Sequence, residues 1–154
     1  MSCVYLGLGS NLGDKRKYIE NALALIKIRV GNIIAVSGFH ETQPWGYDSS
    51  EVFINVVAEV ETNLNPKELL LATQDIERKI GRTDKTTGRE YHDRIIDIDI
   101  LLFDNLILQT SELTIPHPLM HKRKFVLEPL SEIAPTFVYP VSGKTIAELY
   151  DILL

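Results

Sequence analysis

A single cysteine, Cys3, excludes an internal disulfide and a cysteine-based zinc centre. No activating motif surrounds it, so it reads as a buried or half-buried structural thiol rather than a nucleophile. Long apolar runs are missing too: nothing approaches the roughly 18 residues that cross a bilayer. Met1-Ser2-Cys3 leads directly into Val4-Tyr5-Leu6 without a basic region or a cleavage site, so no export signal is visible. A cytoplasmic protein with no membrane partner is expected. An excess of positive charge is also absent, and a net charge of −5 argues against general nucleic-acid binding. No Walker A sequence occurs, so any phosphates must be held by side chains and metal. Repeats and low-complexity tracts are not found. The 45% hydrophobic and 24% charged residues are those of an ordinary globular protein, and 154 residues suit one domain, 1–154.

Against that background Arg94-Ile-Ile-Asp97-Ile-Asp99-Ile-Leu-Leu-Phe103 stands out, because two carboxylates alternate within an otherwise apolar run. In a strand they share a face with Ile95 and Leu101, while Ile96, Ile98, Ile100 and Leu102 line the other. Two carboxylates about 7 Å apart repel and lose hydration unless a cation or dense hydrogen bonding compensates. Mg²⁺, typically held by one or two carboxylates plus substrate phosphates, fits that need. Lysine or arginine on neighbouring strands is the plainer alternative. Basic residues do gather in two islands, Arg78, Lys79, Arg82, Lys85, Arg89 and Arg94, then Lys122-Arg123-Lys124. In an acidic protein they point to an anionic small molecule.

Periodicity predicts a strand over Val4 to Gly9, a helix from near Asp14, and strands over Ile33 to Phe39 and Val52 to Val60. A second helix is punctuated by Asn65 as N-cap, Pro66, the capping-box Glu68, and Gly81 as C-terminal cap. The aspartate strand follows, then a turn at Asp104-Asn105 and a short strand, Leu106 to Gln109, expected to pair back as a hairpin. The stretch from Pro116 to Pro140 reads as irregular, and a short helix starts near Thr145. The order βαββαβ predicts an α+β, ferredoxin-like sandwich with a mainly antiparallel sheet and both long helices on one face. Loops at 40–51 and 81–93, each about 12 residues, are candidates for closing over ligand.

Gly7-Leu-Gly9-Ser-Asn-Leu-Gly13 suggests a dinucleotide-binding turn, with Glu41 as the ribose acid, but the third glycine is one residue late and consecutive strands break the required alternation. These glycines are better read as allowing a tight turn and close packing beside a site. His117 and His121 are four apart, yet Pro118 interrupts any helix between them, so a metal pair is not indicated.

The residues together resemble the 6-hydroxymethyl-7,8-dihydropterin pyrophosphokinase family. The resemblance lies in Leu8-Gly-Ser10-Asn11-Leu12-Gly13, Phe53-Ile-Asn55, Gly81-Arg82, Arg94 to Phe103, and Ile115-Pro-His117-Pro118 leading to Arg123-Lys-Phe125 and on to Pro135. It covers most of the chain, with five motifs in order. It implies transfer of pyrophosphate from ATP to the dihydropterin hydroxymethyl group, giving AMP, with two Mg²⁺ ions. On the same resemblance Asp97 and Asp99 hold the metals, and Arg82 and Arg94 serve catalysis and ATP. The implied ATP contacts are Gln74, Glu77, Ile100, Thr114, His117 and Arg123. Thr42, Pro44, Trp45, Phe53, Asn55 and Phe125 receive the pterin. The bottom-up chemistry agrees: phosphoryl transfer needs alignment and charge neutralisation, arginine forks follow phosphoryl oxygens, and a flat pterin needs rings to stack on and an amide to read its edge.

Three departures from the family are visible. Tyr91-His92-Asp93-Arg94 replaces a tryptophan-glycine-proline-arginine run, Asp84 stands where a second arginine is frequent, and Glu112 replaces a nucleotide-contacting arginine found in some members. Lys85 and Arg89 are the candidates to restore the missing loop charge. A monomeric kinase is the leading reading. A non-catalytic nucleotide- or metal-binding module on the same fold, and a dinucleotide-dependent enzyme, are the alternatives.

Overall fold

The computed structural model describes residues 1–42, 52–83 and 95–154, apart from the side chains of Arg82 and Thr83. The expected loops at 40–51 and 81–93, with Pro44, Trp45, Lys85, Arg89, Tyr91 and Arg94, fall largely or wholly outside those residues. Strands β1 (Ser2–Ser10), β2 (Gly31–Val36), β3 (His40–Thr42), β4 (Phe53–Thr62) and β5 (Asp97–Phe103) form one antiparallel sheet. Its order is β2-β4-β1-β5, with β3 also on β4. Helices α1 (Lys15–Arg29) and α2 (Pro66–Thr83) follow β1 and β4. The ferredoxin-like order is therefore present, and β5 forms an edge.

Local chemistry sets the helix starts. Asp14 caps α1 by accepting from the Lys17 N–H, and Asn65 and Glu68 form the expected capping box on α2, at 2.8 and 2.9 Å. Gly81 does not end that helix, which runs on to Thr83; glycine at 81 has no positive φ, so no left-handed cap forms there.

Leu6, Leu8, Ile19, Ile26, Leu69, Ile76, Ile98 and Ile100 bury one face of the sheet beneath α1 and α2. The opposite face is covered by two further helices, α3 (Lys124–Ile133) and α4 (Ile146–Leu153), around Tyr5, Val57, Leu101, Leu127 and Leu130. Each such aliphatic side chain contributes about 1.5–3 kcal/mol on burial, so this second core adds substantially to the first. Helix α3 lies in the stretch expected to be irregular and carries Pro129 within it. A bulge opposite Tyr5 and Leu6 turns both Leu101 and Leu102 toward the α3 side, breaking the alternation expected of that strand. Ile95, ahead of β5, packs with the α1/α2 core rather than beside Asp97.

The segment after β5 does not pair back on it. Strand β6 (Leu108–Gln109) pairs instead with β7 (Thr114–Ile115), forming a separate two-stranded ribbon. Cys3 is half-buried, its thiol 3.7 Å from Glu59 Oε2, and burial pushes its pKa up, in keeping with a structural thiol. Among the described residues no helix is long and apolar enough to cross a membrane.

Candidate active site

The α3 side of the sheet lacks side chains along the C-terminal half of β1, and the reason is composition. Gly7 pairs with Asp99, and Gly9 pairs with Asp97 on one side and Asn55 on the other. Paired residues project to the same face, so two side-chain-free positions on the central strand separate the aspartates of β5 from Asn55 and Phe53 of β4. A methyl group at Gly9 would lie 2.8 Å from Asn55 Oδ1, and one at Gly7 would meet Leu101 at 3.4 Å. Gly7 and Gly9 lie inside β1, within the strand expected over Val4 to Gly9, and their close packing opens a floor between the two candidate half-sites; only Gly13 of this group has a positive φ.

On one side of the floor, Asp97 and Asp99 are half-buried neighbours on one face, as expected. Glu77 reaches them from α2 around the free edge of β5: its Oε2 accepts from the Ile98 N–H at 2.7 Å, satisfying an amide at the sheet edge. Burial pushes the Glu77 carboxyl up to about 7; the Ile98 N–H opposes this, and the charges of Asp97 and Asp99 reinforce it. The Glu77 carboxyl therefore stands close to those of Asp97 and Asp99. Mg²⁺ fits this donor set, because hard oxygen ligands from one or two carboxylates leave positions for phosphate and water. Among the described residues no group of three or more His, Cys, Asp or Glu encloses a metal by itself.

A cleft of about 260 Å³ opens next to Asp99, lined by Leu70, Ile98, Ile100, Leu113 and Thr114, with His117 at its rim. Of the nucleotide candidates, Ile100, Thr114 and His117 thus meet in one cleft, and Glu77 adjoins it. His117 Nδ1 accepts from the Leu119 N–H at 3.3 Å, which leaves the proton on Nε2. Burial lowers the His117 pKa, helped by the Arg123 charge and opposed by Asp97. A neutral N–H donor at the rim suits a phosphate oxygen. Gln74 is exposed on α2, and its side chain is not drawn into the cleft. Arg82 lies in the last turn of α2, with its side chain outside the described residues, as is all of Arg94.

Across the floor, Asn55 Nδ2 donates to Thr42 Oγ1 at 3.0 Å, and Thr42 pairs with Phe53. Phe125 stands in the first turn of α3, half-buried, with the Arg123 guanidinium 5.5 Å from its ring centroid. The structure thereby gathers Thr42, Phe53 and Asn55 in one cluster on β3 and β4. His121 packs against Tyr139 at 6.1 Å, a structural role. Leu70 and Leu113 of the cleft wall had no signal in the sequence beyond ordinary apolar residues, and Thr110, Ser111 and Glu112 reach it only because β6 pairs with β7.

The sequence pattern of 7,8-dihydro-6-hydroxymethylpterin-pyrophosphokinases matches residues 5–135. This chain belongs to that family. It is 48% identical over 136 residues to the 2-amino-4-hydroxy-6-hydroxymethyldihydropteridine pyrophosphokinase of Porphyromonas gingivalis, covering 88% of this chain and 92% of the relative. The Bacillus subtilis enzyme of the same name is 43% identical over 130 residues, 84% of this chain and 76% of its own. A crystal structure of Plasmodium falciparum HPPK-DHPS with pteroate superposes with a TM-score of 0.80 at 18% identity, covering 98% of this chain and 44% of that one; it supports the fold alone. As a member of the family the chain is a pyrophosphokinase, a transferase of folate synthesis that passes pyrophosphate to the hydroxymethyldihydropterin.

Proposed function

We propose that the donor is ATP, that two Mg²⁺ ions join its triphosphate to Asp97 and Asp99, and that the pterin lies across Gly9 against Phe53, Asn55 and Phe125. The observation that carries this reading is the pairing of Gly9 with both Asp97 and Asn55, which sets the acidic and amide half-sites on one face on either side of a side-chain-free strand. Magnesium, when bound, supplies neutralisation and alignment of the phosphoryl oxygens. The chain's own residues do the rest. His117 offers a neutral Nε2–H to a phosphate oxygen, Ile100 and Thr114 border the nucleotide, and Asn55 and Thr42 read the pterin edge. Arg82, Arg94, Arg123, Gln74, Pro44 and Trp45 complete the reading as nucleotide and pterin contacts. The pterin hydroxyl oxygen bonds to the β-phosphorus and gives up its proton to solvent, while the bond from that phosphorus to the α-phosphate oxygen breaks, so the leaving product is AMP.

On this reading the enzyme acts as a cytoplasmic monomer without nucleic-acid or membrane partners, in keeping with its net charge of −5. Incubation with ATP, Mg²⁺ and 6-hydroxymethyl-7,8-dihydropterin, followed by chromatography, tests it. AMP and pterin pyrophosphate in equal amounts are expected; ADP as the nucleotide product, or ATP binding without turnover, would contradict it.

A further inference from the structure

The segment between β2 and β3 is held from three directions by groups that stand outside the site described above. Ser37 is buried and locked to β4: its N–H donates to the Val57 carbonyl, and its Oγ accepts from the Val57 N–H, both at 2.9 Å. Phe39 lies under the Arg16 guanidinium of α1, 4.5 Å from the ring centroid. On the α3 side, one carboxylate grips two residues: Glu132 Oε1 accepts from the Gly38 N–H at 2.9 Å, and Oε2 lies 2.7 Å from His40 Nε2. Glu128, one turn earlier on α3, is 3.4 Å from the other ring nitrogen and is itself held by the Tyr150 hydroxyl of α4 at 2.6 Å.

His40 begins β3, pairs with Asn55, and stands two residues before the Thr42 whose hydroxyl accepts from Asn55 Nδ2. The chain from Glu132 to Asn55 is thus continuous through described contacts. The Thr42 hydroxyl holds the Asn55 amide in place beside β3, with Nδ2 toward Thr42 and Oδ1 toward Gly9. An asparagine free to swing away would leave the ligand edge without a donor and acceptor at a fixed place, and the ligand would bind less tightly. The Glu132 side chain is 42% exposed, so its bonds stabilise the fold little; their value lies in placing β3.

We propose that Glu132 and His40 are positioning residues for the pterin half-site: the carboxylate of α3 fixes β3, and β3 fixes the Asn55 amide through Thr42. This rests on the assignment of Asn55 to the pterin given above. The nucleotide half-site, on β5, α2 and the β6–β7 ribbon, takes no part in the clamp.

Steady-state kinetics with each substrate varied at saturating partner, on Glu132→Ala, Glu132→Gln, His40→Ala, the double alanine variant and Asn55→Ala, test the proposal. Glu132→Ala is expected to raise the KM for the pterin about tenfold, the scale of one lost charge-assisted hydrogen bond, with the KM for ATP within about twofold of the parent. Glu132→Gln keeps an acceptor and should recover part of that loss. The double variant should be little worse than either single one, because both break one linkage. If the pterin KM does not move, or both KM values rise together, the clamp is not a positioning device. If instead Asn55→Ala leaves the pterin KM unchanged, the underlying placement of the pterin is the part that fails, and the proposal falls with it.

Discussion

Gly9 and Asn55 face each other across β1 and β4 so closely that a single methyl group at position 9 would sit 2.8 Å from Asn55 Oδ1. The neighbour is the end of a flexible side chain, so Gly9→Ala should fold and displace the amide. A pterin KM raised about tenfold, with the melting temperature lowered by a few degrees at most, is expected from kinetics and a thermal melt.

Gly31→Ala provides the opposite outcome. There a Cβ would fall 1.9 Å from the Glu61 carbonyl oxygen, a backbone atom that cannot swing aside. A loss of more than about 3 kcal/mol is expected in denaturant unfolding, whereas Gly7→Ala, whose contact is 3.4 Å from Leu101, should cost little.

Asp97→Asn should separate activity from stability. Turnover is expected to fall by about a thousandfold, since position 97 would no longer hold the metal ion that neutralises the transferring phosphoryl group. Without Mg²⁺ the variant should melt no lower than the parent, because one member of a repelling group with Asp99 and Glu77 is gone. A thermal melt with EDTA beside an activity assay checks both.

Much of this arrangement was legible in the sequence because the relevant residues act locally. Asn65 and Glu68 cap α2 through bonds three residues apart, and the aspartates keep to one face because strand geometry alternates. What was misread depends on partners distant in the chain. Pro129 argues against a helix locally, yet α3 forms because Val126, Leu127 and Leu130 bury against Tyr5, Val57 and Leu101. Leu108 and Gln109 looked like the return arm of a hairpin, but their partners are Ile115 and Thr114. Three residues of β3 carry too little pattern to be seen, although they place Thr42 beside Asn55. The half-sites could be named from motifs; the glycine floor between them needed the register.

Glu77 makes stability depend on pH in the Mg²⁺-free protein. Its folded carboxyl keeps the proton up to about 7, against an ordinary value of 4.5, so the folded state binds more protons across that window. Stability therefore falls as pH rises from about 4.5 to about 7, and the fall should be smaller in Glu77→Gln, which cannot ionise. Melting temperatures of the two proteins in EDTA, compared between pH 4.5 and 8, read this directly.

His117 should stay neutral below its usual titration range because it is buried and because Arg123 is near. Burial remains when the arginine is replaced, so Arg123→Gln should move the imidazole pKa part of the way back toward 6.5, followed by NMR titration of the ring protons. Since the folded pKa is depressed, the contribution of His117 to stability is present above 6.5 and is lost as pH falls through the folded value.

The central claim is that Asp97 and Asp99 bring metal ions to the triphosphate. Electron paramagnetic resonance of Mn²⁺ bound with a non-cleavable α,β-methylene analogue of ATP tests it directly, by counting ions per chain. Two bound ions in the parent, and loss of at least one in both Asp97→Asn and Asp99→Asn, is the predicted result. The same count in all three proteins would mean that the carboxylates of β5 do not hold the metal.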